Sequence, residues 1–152
     1  MNDKNEALRL QNHILFPMYL CVKEMTNYFS SLLEPYGLTY TQFIVLIYLW
    51  EMGKSSLTEA SDALMLDPST LTPVLKKLQS KGYITRERDE ADGRTLILKP
   101  SGSCLDIIDK IATLPEKALL YSGLNEDELE TFRFLAVKTI EHINKEKGAN
   151  NG

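Results

Sequence analysis

Short polar and cationic side chains recur at helical spacing in one stretch, at Ser69, Thr70, Thr72, Lys76 and Lys77. Hydroxyl and ammonium groups hydrogen-bond to base edges and phosphates, and an α-helix fits the major groove of double-stranded DNA. Asp67 is a good helix N-cap, and Pro68 suits the first helical position. The opposite stripe is apolar, with Leu71, Val74, Leu75 and Leu78 at core-facing spacing. The stretch therefore predicts a recognition helix, with Gly82 just beyond its end.

An arginine near a hairpin tip would supply a second kind of DNA contact. Residues 83–88 and 95–99 have the pattern of two strands, and the polar turn over 89–93 ends in glycine, as a hairpin requires. Arg94 follows that turn and can reach the minor groove beside the helix. Helix and hairpin together predict a recognition helix with a wing. The alternative is an ordinary helix and hairpin whose charges are merely solvated.

The distribution of charge favours the DNA-binding interpretation. The 152-residue chain has a formal net charge of −4. Between Ser69 and Lys99, seven basic residues stand against four acidic ones, while the remainder carries ten against seventeen. Positive charge is therefore concentrated on the predicted binding element, where a nucleic-acid partner requires it. The local excess in one chain is modest, which favours a dimer with two such elements.

Composition limits the class of protein. An apolar fraction of 43% and a charged fraction of 25% are ordinary for a soluble globular domain. No apolar run approaches the ~20 residues of a membrane span. The polar N-terminus lacks the apolar core of a signal peptide. We therefore expect a cytoplasmic protein with no membrane partner, in which Cys21 and Cys104 are free thiols.

Apolar periodicity predicts three helices ahead of the recognition helix. Residues 6–34 form one long helix, which Pro17 should kink or break because an interior proline costs roughly 3 kcal/mol. A second helix over 40–50 is apolar on most sides and hence central. A third, short helix starts at Ser56 or Thr58. Short helix, tight turn, recognition helix and hairpin make a winged helix-turn-helix.

Capping residues mark several of these helix starts. Thr39 is placed to cap the central helix. Ser56 and Glu59 have the spacing of a capping box, in which each side chain bonds to the other residue's backbone. Asn125 and Glu128 have the same spacing before the last helix. Thr39 and these two pairs predict where three helices begin.

The chain after the wing is predicted to be helical and to form a dimer. A helix over 103–114 should bury Leu105, Ile108, Ile111 and Ala112, and Pro115 should break or kink it. The last helix should give way to disorder from about Lys145. The terminal helices carry more apolar surface than a winged element can cover, so helices from two chains should interdigitate, the alternative being a compact monomer.

The predicted fold is mainly α with a small β-hairpin (α+β), a winged helix-turn-helix flanked by terminal helices. The predicted regions are 1–36 and 101–147 for helical dimerisation, 37–100 for the DNA-binding domain and 148–152 for a disordered tail.

The stretch 38–102 resembles the MarR family of bacterial transcription regulators. The residues that carry the resemblance are LTYTQFIVLIYLW at 38–50, LDPSTLTPVLKKLQSKGYITRERDEADGRT at 66–95 and PSG at 100–102, after the wing. Within the family, the likeness is greatest to the organic hydroperoxide regulator (OhrR-like) branch. The resemblance implies a homodimeric repressor that binds a near-palindromic operator, with two recognition helices about 34–36 Å apart.

The resemblance also implies roles for single residues. Arg94 would enter the minor groove and Asp92 would brace the wing. Arg86 and Arg88 would contact phosphates or steer toward them. The helix residues named above would face the major groove, and Pro73 falls in the family's LTP motif, which implies an off-ideal start to the recognition helix.

One departure from the branch concerns its sensor. Leu15 stands where the peroxide-sensing members carry a reactive cysteine, and Phe29 stands where a tyrosine is usual, so sensing through that cysteine is excluded. Cys21 is the alternative redox group, with Lys23 nearby, although small buried cysteines are common in cores. Cys104 begins a helix and is a weaker candidate.

A small apolar or phenolic effector is the other possible signal. Aromatic side chains that would line its pocket are Tyr19, Phe29, Tyr40, Phe43 and Trp50. The same residues would serve equally well as ordinary core aromatics.

An enzyme is not expected. His13 and His142 lie far apart without metal-ligand spacing, so we expect no metal site and no cofactor. There is no glycine-rich phosphate loop and no nucleophile elbow. The alternative function is a winged-helix dimer that binds a ligand or another protein without binding DNA.

Overall fold

The computed structural model describes Glu6 and residues 9–90 and 92–150. Their elements are α1 (Leu15–Leu33), α2 (Tyr40–Met52), β1 (Ser55–Ser56), α3 (Leu57–Leu64), α4 (Pro68–Ser80), β2 (Ile84–Arg88), β3 (Leu96–Pro100), α5 (Gly102–Ile111), α6 (Leu114–Ser122) and α7 (Glu126–Asn150). The chain divides into two compact units, Met1–Pro115 and Glu116–Gly152. Among the described residues, no helix combines the length and apolarity needed to cross a membrane. The predicted fold class, mainly α with a small antiparallel sheet, is confirmed.

The sheet has three strands in the order β1-β3-β2, and both pairings are antiparallel. In the hairpin, Arg86 lies opposite Leu98, which in turn pairs with Ser55 on the far edge. The two-residue strand β1 was not predicted, because a segment this short shows no periodicity. Tertiary bonds hold it, since the hydroxyls of Tyr48 and Ser55 lie 2.9 Å apart.

The core of the first unit surrounds α2. Every side chain from Thr41 to Leu49 is buried or half-buried, which confirms the prediction of a central helix. The largest fully buried side chains come from six different elements: Leu33, Val45, Leu46, Leu49, Leu71, Leu75, Leu78, Ile84, Leu98, Cys104 and Ile111. Burying one leucine or isoleucine contributes roughly 1.5–3 kcal/mol relative to exposure. This core fixes α3, α4 and the hairpin against α2.

The predicted capping pairs are formed. The Ser56 hydroxyl accepts the Glu59 N–H at 3.1 Å, and the Glu59 carboxylate accepts the Ser56 N–H at 2.7 Å. Asn125 and Glu128 bond in the same reciprocal way at 3.0 and 2.9 Å. Thr39 caps α2 and forms a further box with Gln42. Local sequence therefore fixes the starts of α2, α3 and α7.

The prediction of one helix over 6–34 was wrong at its start. A short 3-10 turn at Leu10–Asn12 precedes α1, which begins at Leu15. Pro17 is the third residue of α1 and does not kink its middle. In a first turn the backbone N–H groups have no intrahelical acceptor, so proline loses no bond there. The proline thus marks the start of the helix.

Two predictions about the C-terminal helices were also wrong. In α5 the buried residues are Cys104, Ile107, Ile108 and Ile111, whereas Leu105 is 51% exposed and Ala112 is exposed. The buried face is therefore rotated from the predicted one. The helix α7 also continues through Asn150, where a disordered tail was expected. Three acidic residues in its first turn and Lys147 in its last suit the helix dipole, and Gly148 weakens a helix without ending it.

Candidate nucleic-acid interface

The helix α4 separates a buried stripe from an exposed polar face. Leu71, Leu75 and Leu78 are fully buried, and Val74 is half-buried. The predicted major-groove residues Ser69, Thr70, Pro73, Lys76 and Lys77 are all exposed, and Thr72 is half-buried. The apolar stripe packs α4 against the core, so the hydroxyl and ammonium groups on the opposite face of α4 point to solvent from a helix that is held in place.

The start of α4 follows the predicted boundaries with different bonds. Asp67 occupies the N-cap in extended backbone, and Pro68 is the first helical residue. The Asp67 side chain accepts no capping bond; its backbone carbonyl instead accepts the N–H groups of Thr70 and Leu71, each at 2.9 Å. Pro73 lies within the helix and removes the N–H that would otherwise donate to the Ser69 carbonyl.

The turn from α3 to α4 is held by Ser61. Its hydroxyl donates to the Leu66 carbonyl, and the Leu66 N–H donates to the Ser61 carbonyl at 3.0 Å. Met65 between them is a non-glycine residue in the left-handed region, with φ 51°. That conformation costs energy for a side chain of this size, so the surrounding bonds must impose it. No pattern in the amino-acid sequence predicted this strained position.

The wing tip is closed by two aspartates. The Asp89 carboxylate accepts the Asp92 N–H at 3.0 Å. The Asp92 carboxylate accepts the Arg94 N–H at 3.1 Å and the Thr95 hydroxyl at 2.9 Å. Gly93 does not adopt positive φ, so the turn does not depend on glycine in the expected way. Asp92 thus braces the segment that carries Arg94.

The three arginines predicted at the interface have different surroundings. The Nε of Arg86 donates to Oε1 of Gln79 on α4 at 2.6 Å. Nη1 of Arg88 donates to the Gly93 carbonyl at 2.7 Å. Arg94 is exposed, and within the described residues its guanidinium forms no hydrogen bond or ion pair. Arg94 is therefore the arginine of the wing whose charge is available at the tip.

Two lysines near the interface have partners within the chain. Lys99 pairs with Glu87 across the hairpin at 2.9 Å, and that hydrogen bond raises the pKa of Lys99 above its ordinary value of 10.5. The Lys81 ammonium donates to the Gly37 carbonyl. Lys76 and Lys77 enter no ion pair among the described residues. They are the lysines of α4 best placed to attract phosphates.

Comparison with known proteins identifies the family of this chain. The family model described as transcriptional regulator SarA/Rot matches residues 27–111, more than half of the chain. The chain belongs to this family. The matched segment runs from α1 to the end of α5 and includes the whole winged element. This SarA/Rot regulator therefore has the MarR-like winged-helix class that its sequence motifs predicted.

Individual relatives cover nearly the full length. The chain is 28% identical over 145 residues to the organic hydroperoxide resistance transcriptional regulator of Bacillus subtilis, covering 95% of this chain and 99% of that protein. It is 28% identical over 148 residues to the HTH-type transcriptional regulator MgrA of Staphylococcus aureus, with 97% and 99% covered. The structure of reduced AbfR bound to DNA aligns with a TM-score of 0.75 and 29% identity, over 92% of this chain and 98% of that one.

The predicted sensor residues of this SarA/Rot regulator are only partly brought together. Phe29 contacts Tyr40 edge-on at 5.6 Å between ring centroids and Phe43 at 4.8 Å. Tyr19 and Trp50 are 62% and 47% exposed. Three of the five predicted aromatics therefore form a cluster, within which Phe29 and Phe43 are buried.

The two cysteines differ in environment. Cys21 is exposed and Cys104 is buried. Burial raises the pKa of the Cys104 thiol above its ordinary value of 9.0. Since the thiolate is the reactive form, Cys104 is a core residue with low reactivity. Among the described residues, no group of three or more His, Cys, Asp or Glu side chains is arranged to hold a metal ion.

An open polar cavity of about 540 Å³ lies in the first unit, between the start of α3 and the hairpin. Its lining is Lys54, Ser55, Ser56, Glu59, Glu87, Arg88, Asp89, Glu90, Ile97 and Lys99. None of the predicted sensor residues contributes to it. The cavity therefore does not correspond to the predicted effector pocket.

Proposed function

We propose that this protein is a homodimeric, sequence-specific DNA-binding transcriptional repressor. The observation that carries the proposal is the exposed polar face of α4 beside a wing whose Arg94 is braced by Asp92. In this proposal the α4 side chains read the major groove, and Arg94 enters the adjacent minor groove. The DNA-bound state of AbfR and the regulator names of the full-length relatives support it.

The proposed operator is nearly palindromic. A two-fold dimer presents two copies of α4, which reach successive major grooves when about 34–36 Å apart. Ser69, Thr70 and Thr72 would contact bases and backbone near the start of the helix. Lys76 and Lys77 would add sequence-independent attraction to phosphates.

Apolar surface on the terminal helices supports the proposed dimer. Large side chains on α7 that are exposed in the single chain are Phe132, Phe134, Leu135, Val137, Ile140 and Ile143. At the N-cap and along α1 they include Ile14, Leu15, Phe16, Met18, Tyr19 and Val22. Exposed apolar patches of this extent mark interaction surfaces. We assign 1–36 and 101–147 to dimerisation and 37–100 to DNA binding.

Sedimentation of the purified protein tests this assignment. Phe132→Asp should shift the chain from dimer toward monomer, because a carboxylate would enter an apolar interface. The matched control is Met52→Asp, which places the same charge at an exposed apolar position of α2 outside the assigned region. A monomeric wild type, or a dimer indifferent to both changes, would contradict the assignment.

Release from DNA is proposed to follow either oxidation or a small ligand. Exposure of Cys21 supports the first route, and the Phe29–Tyr40–Phe43 cluster supports the second. The oxidation route would be established if cumene hydroperoxide releases the protein from DNA, a thiol reductant reverses that release, and Cys21→Ser abolishes it. The ligand route would be established if peroxide has no effect, a phenolic compound releases the protein from DNA, and Tyr40→Ala abolishes that release.

A salt-dependent titration tests DNA binding itself. The protein is titrated against DNA from upstream of its own gene and against unrelated DNA of equal length. Specific binding predicts tighter association with the first fragment, falling steeply as salt rises. A selection from random DNA follows if the two fragments bind alike. Failure of that selection to enrich any sequence would contradict the proposal and favour an interaction module.

A further inference from the structure

A side-chain hydrogen bond joins the recognition helix to the wing. Arg86 lies in the middle of β2 and its Nε donates to Oε1 of Gln79 at 2.6 Å. Gln79 belongs to the last turn of α4. The alternation of β2 puts Arg86 on the same face as Ile84, which is 2% exposed. Arg86 therefore projects from the strand face that packs toward the core and α4.

The joint between α4 and β2 has two backbone hydrogen bonds of its own, from the Gly82 N–H to the Gln79 carbonyl at 2.9 Å and from the Tyr83 N–H to the Leu78 carbonyl at 3.0 Å, and neither reaches the middle of β2. The chain passes from α4 to β2 through Lys81, Gly82 and Tyr83, with Gly82 at φ 76°. Glycine adopts this conformation freely and other conformations almost as freely. The side-chain bond between Gln79 and Arg86, which are seven residues apart in the sequence, spans this joint and restricts it.

We propose that Gln79 and Arg86 form a latch that sets the angle between the recognition helix and the wing. Arg86 is then a positioning residue for DNA binding, acting through Gln79, and does not contact phosphate. The inference rests on the proposed DNA-binding function and refines it. It assigns the wing's DNA contact to Arg94, since Arg88 is likewise engaged with the Gly93 carbonyl.

The latch matters because two grooves must be engaged together. α4 and the tip of the wing must reach neighbouring grooves of one duplex, so their relative orientation determines whether both contacts form. Fixing that orientation before binding reduces the entropy lost on association. The bond is solvent-exposed and contributes little to the free energy of unfolding. The latch should therefore affect DNA affinity much more than stability.

Three substitutions separate positioning from phosphate contact. Gln79→Ala removes the acceptor and keeps the arginine charge. Arg86→Ala removes both the donor and the charge. Arg86→Lys keeps the charge but replaces the Nε donor of a rigid planar group with a flexible ammonium. Ser80→Ala is the matched control, because its exposed hydroxyl donates to the Lys77 carbonyl within α4 and, among the described residues, makes no bond to the wing.

The latch predicts one pattern of DNA affinity. Each of the three variants should weaken specific binding by roughly two- to tenfold, the range of one hydrogen bond. The double variant Gln79→Ala with Arg86→Ala should bind no worse than the weaker single variant. The dependence of affinity on salt should keep the wild-type slope. Ser80→Ala should bind as the wild type does.

A phosphate contact by Arg86 predicts the opposite pattern. Gln79→Ala and Arg86→Lys would stay close to wild type, and Arg86→Ala alone would reduce the salt slope by about 0.9. That result would overturn the latch.

A measurement without DNA separates failure of the latch from failure of the proposed function. Hydrogen exchange of the backbone amides in β2 and β3 is compared in wild type, Gln79→Ala and Ser80→Ala. The latch predicts faster wing exchange in Gln79→Ala only. Unchanged exchange would overturn it whether or not DNA binds. Faster exchange in a protein that binds no specific DNA would retain the latch and overturn the proposed function.

Discussion

The carboxylate of Asp92 accepts the backbone N–H of Arg94 at 3.1 Å. Its second oxygen accepts the Thr95 hydroxyl at 2.9 Å. The negative group thus binds the backbone at the tip of the wing and leaves the Arg94 guanidinium unpaired among the described residues. This arrangement holds a cation at the tip without neutralising it through an ion pair.

Asp92→Ala should therefore weaken operator binding, although it removes a negative charge. Simple electrostatics predicts the reverse, because DNA repels carboxylates. Two hydrogen bonds at about 0.5–1.5 kcal/mol each, discounted for solvent exposure, give a loss of up to about tenfold. Glu90→Ala is the control, since it removes an exposed acid from the same hairpin. Fluorescence anisotropy measures both, and tighter binding by Asp92→Ala would refute the bracing role.

Lys76→Ala should lower affinity for all DNA sequences by a similar factor. Lys76 is exposed on α4, and a lysine that neutralises a phosphate contributes attraction without sequence information. The slope of log affinity against log salt should fall by about one charge. Lys117→Ala, in the exposed part of α6, should keep the wild-type slope. Equal slopes for the two variants would remove Lys76 from the interface.

The two thiols should react at very different rates. Burial makes the Cys104 thiol inaccessible and raises its pKa, so that it remains protonated at neutral pH. Cys21, in contrast, is exposed. Titration with an aromatic disulfide reagent should label Cys104→Ser quickly and Cys21→Ser only after unfolding. Rapid labelling of Cys104 in the folded protein would contradict its assignment to the core.

The same burial has a pH consequence. The folded chain retains the Cys104 proton to higher pH than the unfolded chain, whose thiol ionises near 9.0. The free energy of unfolding should therefore decrease as pH rises above that value. Cys104→Ala should lose this alkaline component.

Glu59 should make the protein acid-sensitive. The backbone N–H of Ser56 and then its side chain lower the pKa of Glu59 below its ordinary value of 4.5. The carboxylate form stabilises the folded state above that value, and this contribution is lost as pH falls through the lowered pKa. Urea unfolding across this range should show a smaller acid-induced loss in Glu59→Gln. Identical pH profiles would contradict the capping contribution.

Local chemistry explains what the sequence could predict. Ser56 with Glu59 and Asn125 with Glu128 are pairs three residues apart, so their spacing alone identifies helix starts. The leucine stripe of α4 has the helical period and is buried as predicted. The exposed face of that helix follows from the same period.

Tertiary structure decided the features that were missed. β1 exists because Ser55 pairs with Leu98 across the sheet, and nothing within two residues signals that pairing. The buried face of α5 includes Cys104 and Ile107 in place of Leu105, because packing in the core selects among several apolar positions. The family resemblance implied a role for Arg86 but not its bond to Gln79, which depends on how α4 meets β2.

The most direct test of the DNA-binding account compares Arg94→Ala with Arg133→Ala on a specific DNA fragment. Both remove one exposed arginine, but Arg133 lies on α7 and pairs with Glu130. We predict that Arg94→Ala loses roughly 1–3 kcal/mol of binding free energy on the specific fragment, about five- to 150-fold, and that Arg133→Ala binds as wild type. Equal affinities for Arg94→Ala and wild type would contradict the central claim that the wing of this regulator binds DNA through Arg94.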